Sequence, residues 1–419
     1  MTSLDRALHQ QIFSLDHSAF VQLLGATDNL LIIQDLDGVC MGLVKDPLHR
    51  HIDPAYVAAV PAYKDHFFVL TNGEHIGKRG INTIVEKAID GQASYLPGLA
   101  AGGVQWQDSR GEVTHPGVSA AELAFLKAVP QKIEAAIRDF LAKTDHGLSA
   151  EQIEPCIQSA VLDNVASPTA NLNSFYETLS SAEVYCQLQK TMKALTDKLL
   201  AEATEQGLSD SFFVHFAPNL GRDQTGQEVP WWANPSTSGT TDFQFMLRGA
   251  VKEAGVLALL NRYYYRRTGS YPLGVGFNAR QAPKDMQDML SLAKQNFDPA
   301  LMPTIVGVGD TVTSEAIETP DGLEFKRGGS DRNFLQLIQH LGDVFDSSNL
   351  VVYIDSSGGE LKNRRAVKVE EQDGRHVVTQ GPGDPRDSSD PLKINVVFPG
   401  GHQQYCAAFQ AGAQNRIKS

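Results

Sequence analysis

The segment Asp35-Leu36-Asp37-Gly38-Val39 contains the only Asp-x-Asp of the 419-residue chain and follows directly on the apolar run Leu30-Leu31-Ile32-Ile33. Two carboxylates one residue apart at a strand end can divide labour. One can coordinate a hard cation and attack an electrophile, while the other, displaced by the turn, delivers or removes a proton. Gly38 lets the backbone turn sharply beside a ligand. Taken alone, the segment also reads as a strand ending in an Asp-Gly turn.

Three further pieces extend the pattern. Thr71, Asn72 and Gly73 close a second apolar run, residues 66–70, and offer a hydroxyl and backbone N–H groups to a phosphate oxygen. Lys284, in Ala282-Pro283-Lys284-Asp285-Met286, opens a helical segment where a cation could neutralise both phosphate and carboxylate. Gly309-Asp310 ends a third run, residues 304–308, and Glu315 follows five residues after Asp310, adding carboxylates suited to Mg²⁺.

These groups need a scaffold that gathers strand ends. The three runs and a fourth, residues 350–354 ending at Asp355, have the length and composition of strands buried on both faces of a parallel sheet. Open α/β sheets place their ligand crevice at such carboxyl ends. More than 200 residues separate the second run from the third, far beyond a crossover helix, so a further module must be inserted.

Periodicity predicts helices over 3–25, 119–143, 172–206 and about 248–266, the last ending in Tyr263-Tyr264-Tyr265-Arg266-Arg267. Strands are expected at 212–216 and 242–246, with a long loop over 218–241 carrying Trp231 and Trp232. Hairpins are expected near 102–114 and around Asp373-Gly374. The division that follows is a first core part over 1–117, an inserted cap over 118–270, and a second core part with a C-terminal extension over 271–419.

Composition narrows the ligand. Lys plus Arg number 36 against 49 Asp plus Glu, a net charge of −13 that repels nucleic acid and anionic lipid. A small molecule is the expected partner, and any phosphate it bears must be drawn in locally by a metal or a few bases. Cys40, Cys156, Cys186 and Cys406 show neither zinc spacing nor a disulfide framework, which fits a reducing cytoplasm. The N-terminus lacks a signal-peptide core, and no apolar run has transmembrane length.

The ordered set of Asp-x-Asp, Thr, Lys and Gly-Asp-x₄-Glu resembles the haloacid-dehalogenase-like phosphohydrolases over about 30–115 and 272–355. The resemblance implies an α/β Rossmannoid core with a parallel sheet and a large inserted α+β cap of the C2 type. It implies Asp35 as nucleophile, Asp37 as general acid and base, Thr71 as phosphate-binding hydroxyl and Lys284 as stabilising lysine, with Lys252 as the alternative. It also implies Mg²⁺ held by Asp35, Asp37 through its backbone carbonyl, Asp310 and Glu315.

Ile-Gln-Asp-Leu-Asp-Gly-Val-Cys-Met, Leu-Thr-Asn-Gly-Glu, Gly-Gly-Val-Gln-Trp-Gln-Asp, His-Pro-Gly-Val and Val-Gly-Val-Gly-Asp-Thr-Val are together similar to the cyanobacterial salt-tolerance phosphatases. That resemblance implies hydrolysis of glucosylglycerol 3-phosphate to the osmolyte glucosylglycerol. The alternatives are another sugar phosphate, such as trehalose or sucrose phosphate, or a catalytically silent sugar-phosphate sensor.

For the cap, Trp231 and Trp232 could stack on a sugar, and Arg266 and Arg267 could contact phosphate or hydroxyls. His115, in His115-Pro116-Gly117, marks a core-to-cap crossing with a possible substrate contact. Residues 274–279 match G-x-G-x-x-A but lack the helix and following acidic strand end of a dinucleotide site.

Overall fold

The computed structural model describes residues 6–418 apart from 91–93, 224–226, 321, 362–363 and 373–374. The four apolar runs form strands Leu30–Gln34, Phe67–Leu70, Thr304–Gly309 and Leu350–Ile354 at the centre of an eight-stranded sheet. From one edge the order is Val396–Phe398, Leu350–Ile354, Thr304–Gly309, Leu30–Gln34, Phe67–Leu70, Gly98–Ala100, Gln105–Gln107 and Val113–Thr114. The first six run parallel, and the expected hairpin near 102–114 adds the last two antiparallel.

Alternate side chains of the central strands face opposite layers. Leu31, Ile33, Phe68 and Leu70 pack with the helices Lys252–Thr268 and Arg332–Phe345. Leu30, Ile32, Phe67 and Val69 pack with His17–Ala26 and Gly401–Lys418. Both faces are therefore covered, which explains why these strands are apolar without alternation.

The helix Lys252–Thr268 belongs to this core, so the inserted part ends near residue 250 rather than 270. The insertion has its own apolar core. Its antiparallel sheet runs in the order Val161–Leu162, Thr169–Asn171, Asp242–Leu247, Phe212–Ala217. Ala170, Phe216, Phe243 and Phe245 are buried in the cap core with the helices Val129–Lys143 and Ala182–Glu205. Thr169, Asn171, Asp242 and Gln244 alternate with them and share the opposite face, Asp242 standing beside Asn171 and Gln244 beside Thr169.

Several expected elements are shorter or broken. The helix expected over 3–25 spans only His17–Ala26, capped by Asp16, because the preceding residues bind the sheet edge, where Val397 N donates to Ser14 O. The 119–143 helix breaks at Ala128, where Pro130 opens a second helix. The 172–206 pattern splits into Asn173–Thr178 and Ala182–Glu205, the latter capped by Ser181. Within 218–241, Asn219–Arg222 and Glu228–Pro230 pair as a ribbon. Thr313–Thr319 pairs with Gly322–Gly328, and Lys368–Gln372 with Arg375–Gln380; the turn expected at Asp373-Gly374 lies outside the described residues. Among the described residues no helix is long and apolar enough to cross a membrane.

Candidate active site

The sheet brings its functional groups out along one edge. Asp35 N donates to Val308 O at 3.0 Å and Thr71 N to Leu99 O at 3.0 Å, so the strand ends leave the sheet together. Asp35 is 6% exposed. Its Oδ1 accepts from Leu36 N at 2.8 Å, and its Oδ2 from Lys252 Nζ at 2.6 Å. Lys252 opens the helix Lys252–Thr268 and also donates to Asp331 Oδ1 at 2.6 Å. The second oxygen of Asp331 accepts from the backbone N–H groups of Asp310 and Thr311, both at 3.0 Å.

Asp35, Asp310 and Asp331 are all buried, and a carboxylate oxygen from each lies within 4.8 Å of the other two. Gly38 adopts φ +80°, and a Cβ there would stand 2.2 Å from Asp310 Oδ2. Only glycine fits this turn against the carboxylate.

The electrostatics are those of uncompensated negative charge. Burial raises the Asp35 pKa to about 6, against the pull of Lys252. Burial and the nearby Asp331 raise Asp310 to about 8. Burial opposes the charge on Lys252, but Asp331 and Asp35 outweigh it and raise its pKa. Asp310 Oδ2 is buried without a hydrogen-bond partner. Three convergent carboxylates, one with an orphaned oxygen, fit a hard divalent cation with oxygen ligands.

Asp37 points elsewhere. Its Oδ2 pairs with Arg50 Nη1 at 2.9 Å. A Cβ built on Gly73 would lie 3.6 Å from Arg50 Nη1, 3.7 Å from Thr71 Oγ1 and 3.8 Å from Asp37 Oδ2, so these three groups border one open point. Asp37, Arg50, Asn72 and Gly73 line a cleft of about 230 Å³ whose opposite wall is cap. That wall includes Asn164, Ser167, Thr169, Asn171, Asp242 and Gln244, thus the polar face of the cap sheet.

Comparison with known proteins decides the family. The glucosylglycerol-phosphate phosphatase family model matches residues 29–413. The chain is 61% identical over 417 residues to a glucosylglycerol-phosphate phosphatase of Synechocystis sp., covering 98% of each. This chain belongs to the glucosylglycerol-phosphate phosphatase family. Among solved structures it is similar to the C-terminal domain of Candida albicans trehalose-6-phosphate phosphatase, with 10% identity, 96% of this chain and 98% of that one covered, and a TM-score of 0.45. A trehalose-6-phosphate phosphatase related protein matches at 9% identity and a TM-score of 0.42, covering 93% of this chain and 99% of that one.

In this member of the family, the strand ends bring Asp35 and Asp310 together, and Asp37, Thr71, Asn72 and Gly73 lie around the mouth of the cleft. The structure corrects the lysine. Lys284 is exposed just ahead of the helix Met286–Asn296, and the ammonium on Asp35 is that of Lys252. It also corrects the second acid. Glu315 departs on the strand Thr313–Thr319 and pairs with Arg365 at 2.5 Å, whereas the chain returns after that hairpin to set Asp331 beside Asp310.

The expected cap contacts are corrected as well. Trp231 is 37% exposed, and neither it nor Trp232 lines the cleft. Arg266 pairs with Asp65 and lies over Phe68, while Arg267 lies over Tyr263. Both sit about 20 Å along the helix from Lys252, since each residue rises about 1.5 Å. His115 does not line the cleft; its Nε2 lies 3.1 Å from Gln105 Nε2, and burial lowers its pKa.

Lys252, Asp331 and Arg50 carry no motif of their own. The one available signal for Lys252 was its position at the start of an apolar helical pattern, Ala254 to Leu260.

Proposed function

We propose that this phosphatase hydrolyses glucosylglycerol phosphate to glucosylglycerol and inorganic phosphate in two steps through an aspartyl-phosphate. The observation that carries the reading is the cleft, in which Asp37 at the reacting end faces a cap wall of hydroxyl, amide and carboxylate groups. Such a wall suits a leaving group rich in hydroxyls, and the 61% identical relative bears the name of that activity.

Asp35 attacks phosphorus in line, its carboxylate oxygen forming the new P–O bond as the bond to the departing alcohol oxygen breaks. Asp37 gives its proton to that oxygen, then takes one from the water that cleaves the aspartyl-phosphate, which releases phosphate and restores Asp35. Lys252 and the Thr71 hydroxyl, with the N–H groups of Asn72 and Gly73, balance charge on the transferring group. Asp35 and Asp310, with the Asp37 backbone carbonyl, would hold Mg²⁺, and Asp331 would fix Asp310 and Lys252. Bound there, Mg²⁺ supplies charge neutralisation to the phosphoryl oxygens.

Asp242 is the cap group best suited to bind sugar hydroxyls. It accepts from Asn171 Nδ2 and Thr241 Oγ1, both at 2.8 Å, and burial raises its pKa to about 6. The free cysteines and the absence of a membrane-crossing helix among the described residues are in keeping with a cytoplasmic site of action. A panel of glucosylglycerol phosphate, trehalose 6-phosphate, sucrose phosphate and glycerol 3-phosphate, each with Mg²⁺ and with a chelator, tests the reading. Fastest turnover of the first, abolished by chelation, is expected; preference for another member would overturn the assignment.

A further inference from the structure

Glu74 is buried to 2% exposure one residue beyond Gly73, and the chemistry above makes no use of it. Its carboxylate nevertheless takes five hydrogen bonds. Oε2 accepts from Val165 N at 2.8 Å and Gln105 Nε2 at 3.2 Å. Oε1 accepts from Ala166 N at 2.8 Å, Ser167 N at 2.9 Å and Ser167 Oγ at 3.0 Å.

Three consecutive backbone N–H groups converging on one carboxylate form an anion-binding nest. Here the anion comes from the core and the nest from the cap. The nest joins the cap strands Val161–Leu162 and Thr169–Asn171, and its neighbours Asn164 and Thr169, with Ser167 itself, line the substrate cleft. No Lys or Arg is ion-paired to Glu74 among the described residues. The carboxylate is therefore held mainly by the cap, through three backbone N–H groups and the Ser167 hydroxyl, with Gln105 Nε2 as the one donor from the core. Burial raises its pKa, opposed by the N–H groups of Ala166 and Val165.

A second strut leaves the same core loop five residues on. Arg79 donates to Val161 O at 3.1 Å and Asp163 Oδ1 at 3.2 Å, and also reaches Gln158 O. The loop that carries Thr71, Asn72 and Gly73 thus grips the cap on both sides of Val161–Leu162.

We propose that Glu74 is the positioning residue that seats the cap: its carboxylate clasps the nest at 165–167 and fixes the sugar-reading wall over the phosphate loop. The proposal rests on the reading of the cleft as the substrate site. Cap seating then depends on a group whose two oxygens both accept. An amide in its place would turn an NH₂ group toward N–H donors and leave part of the nest unpaired. Substrates that use the cap wall need the clasp; a small aryl phosphate that uses only the core does not.

The test combines hydrogen exchange with a substrate split in the full-length protein. In the wild type, the amides of 165–167 should be protected well beyond solvent-exposed loop amides. In Glu74→Gln they should exchange at least about tenfold faster, while amides of Leu30–Gln34 and Thr304–Gly309 stay unchanged. kcat/KM for glucosylglycerol phosphate should fall by about 10- to 100-fold, mostly through KM, with 4-nitrophenyl phosphate changed by less than about threefold. Glu74→Asp, which keeps the charge, should recover part of both effects.

Unprotected 165–167 amides in the wild type would overturn the proposal whether or not the variant folds. So would unchanged exchange in Glu74→Gln, or equal losses on the two substrates. A wild type that hydrolyses the aryl phosphate but not glucosylglycerol phosphate would instead overturn the substrate assignment and leave the exchange result standing.

Discussion

Asp331 and Lys252 are 79 residues apart in sequence, yet their side chains meet at 2.6 Å, and through that contact Asp331 ties the lysine on Asp35 to the backbone of Asp310. The ammonium stands between two carboxylates, both buried. Breaking a buried pair of this kind leaves an uncompensated charge. Asp35, Lys252, Asp331 and Asp310 are thus one electrostatic unit, which joins the proposed nucleophile to the carboxylates proposed to hold the cation.

Lys252→Met should lower kcat by about 10²–10³-fold, the range expected for loss of a preorganised charge contact to a transferring group. Lys284→Ala should leave both kcat and KM within about twofold. Steady-state kinetics on the two variants check the assignment, and the reverse pattern would restore Lys284.

Asp331→Asn should raise the Mg²⁺ concentration for half-maximal activity by at least about tenfold, because the single amide oxygen cannot accept both from Lys252 and from the backbone N–H groups of Asp310 and Thr311. Glu315→Ala should leave that requirement unchanged. Mg²⁺ titrations of activity read both, and a Glu315→Ala enzyme demanding more Mg²⁺ would place a ligand on the hairpin.

The raised pKa values give a pH signature in the metal-free protein. A carboxyl group whose pKa is raised on folding stabilises the fold while protonated and loses that contribution as pH rises through its folded pKa. For Asp35 this window runs from the ordinary 3.8 to about 6, and for Asp310 from 3.8 to about 8. Thermal stability in chelator should therefore fall between about pH 4 and about pH 8, with Mg²⁺ stabilising most at the upper end. Asp310→Asn should flatten the difference between the two melting curves. A stabilisation by Mg²⁺ that does not grow with pH would contradict the proposed ligands.

Specificity should follow the cap sheet. Asp242→Asn and Asn171→Ala should each raise KM for glucosylglycerol phosphate by about 5- to 50-fold and spare 4-nitrophenyl phosphate, since remote binding energy helps only substrates that possess the remote part. Trp231→Ala and Arg266→Ala should behave like the wild type on both. Effects confined to the latter pair would return sugar recognition to the aromatic and arginine clusters.

The reach of the sequence differs from residue to residue. Asp35, Thr71 and Asp310 could be read because each directly follows an apolar strand, and strand ends in a parallel sheet share an edge. Asp331 could not, because the hairpin Thr313–Gly328 separates it from Asp310, and Glu315 occupied the spacing that a direct return would give. Lys252 ranked behind Lys284 for a related reason: its helix was counted with the insertion, although Leu257 and Leu260 are buried in one core with Leu31, Ile33, Phe68 and Leu70 of the central sheet. Cap contacts were the least legible. Strand alternation marks Asn171 and Asp242 as one face, but only pairing across the sheet shows that this face meets Asp37. Conspicuous residues such as Trp231 drew attention instead, and composition alone cannot tell a stacking platform from a loop held by Gln189.

The most direct test is turnover of glucosylglycerol phosphate by Asp35→Asn in saturating Mg²⁺, with the melting temperature recorded on the same sample. An amide cannot form the acyl-phosphate, so the folded variant should retain less than about 0.1% of wild-type kcat. A folded Asp35→Asn enzyme with more than a few per cent of wild-type activity would contradict the assignment of Asp35 as the nucleophile.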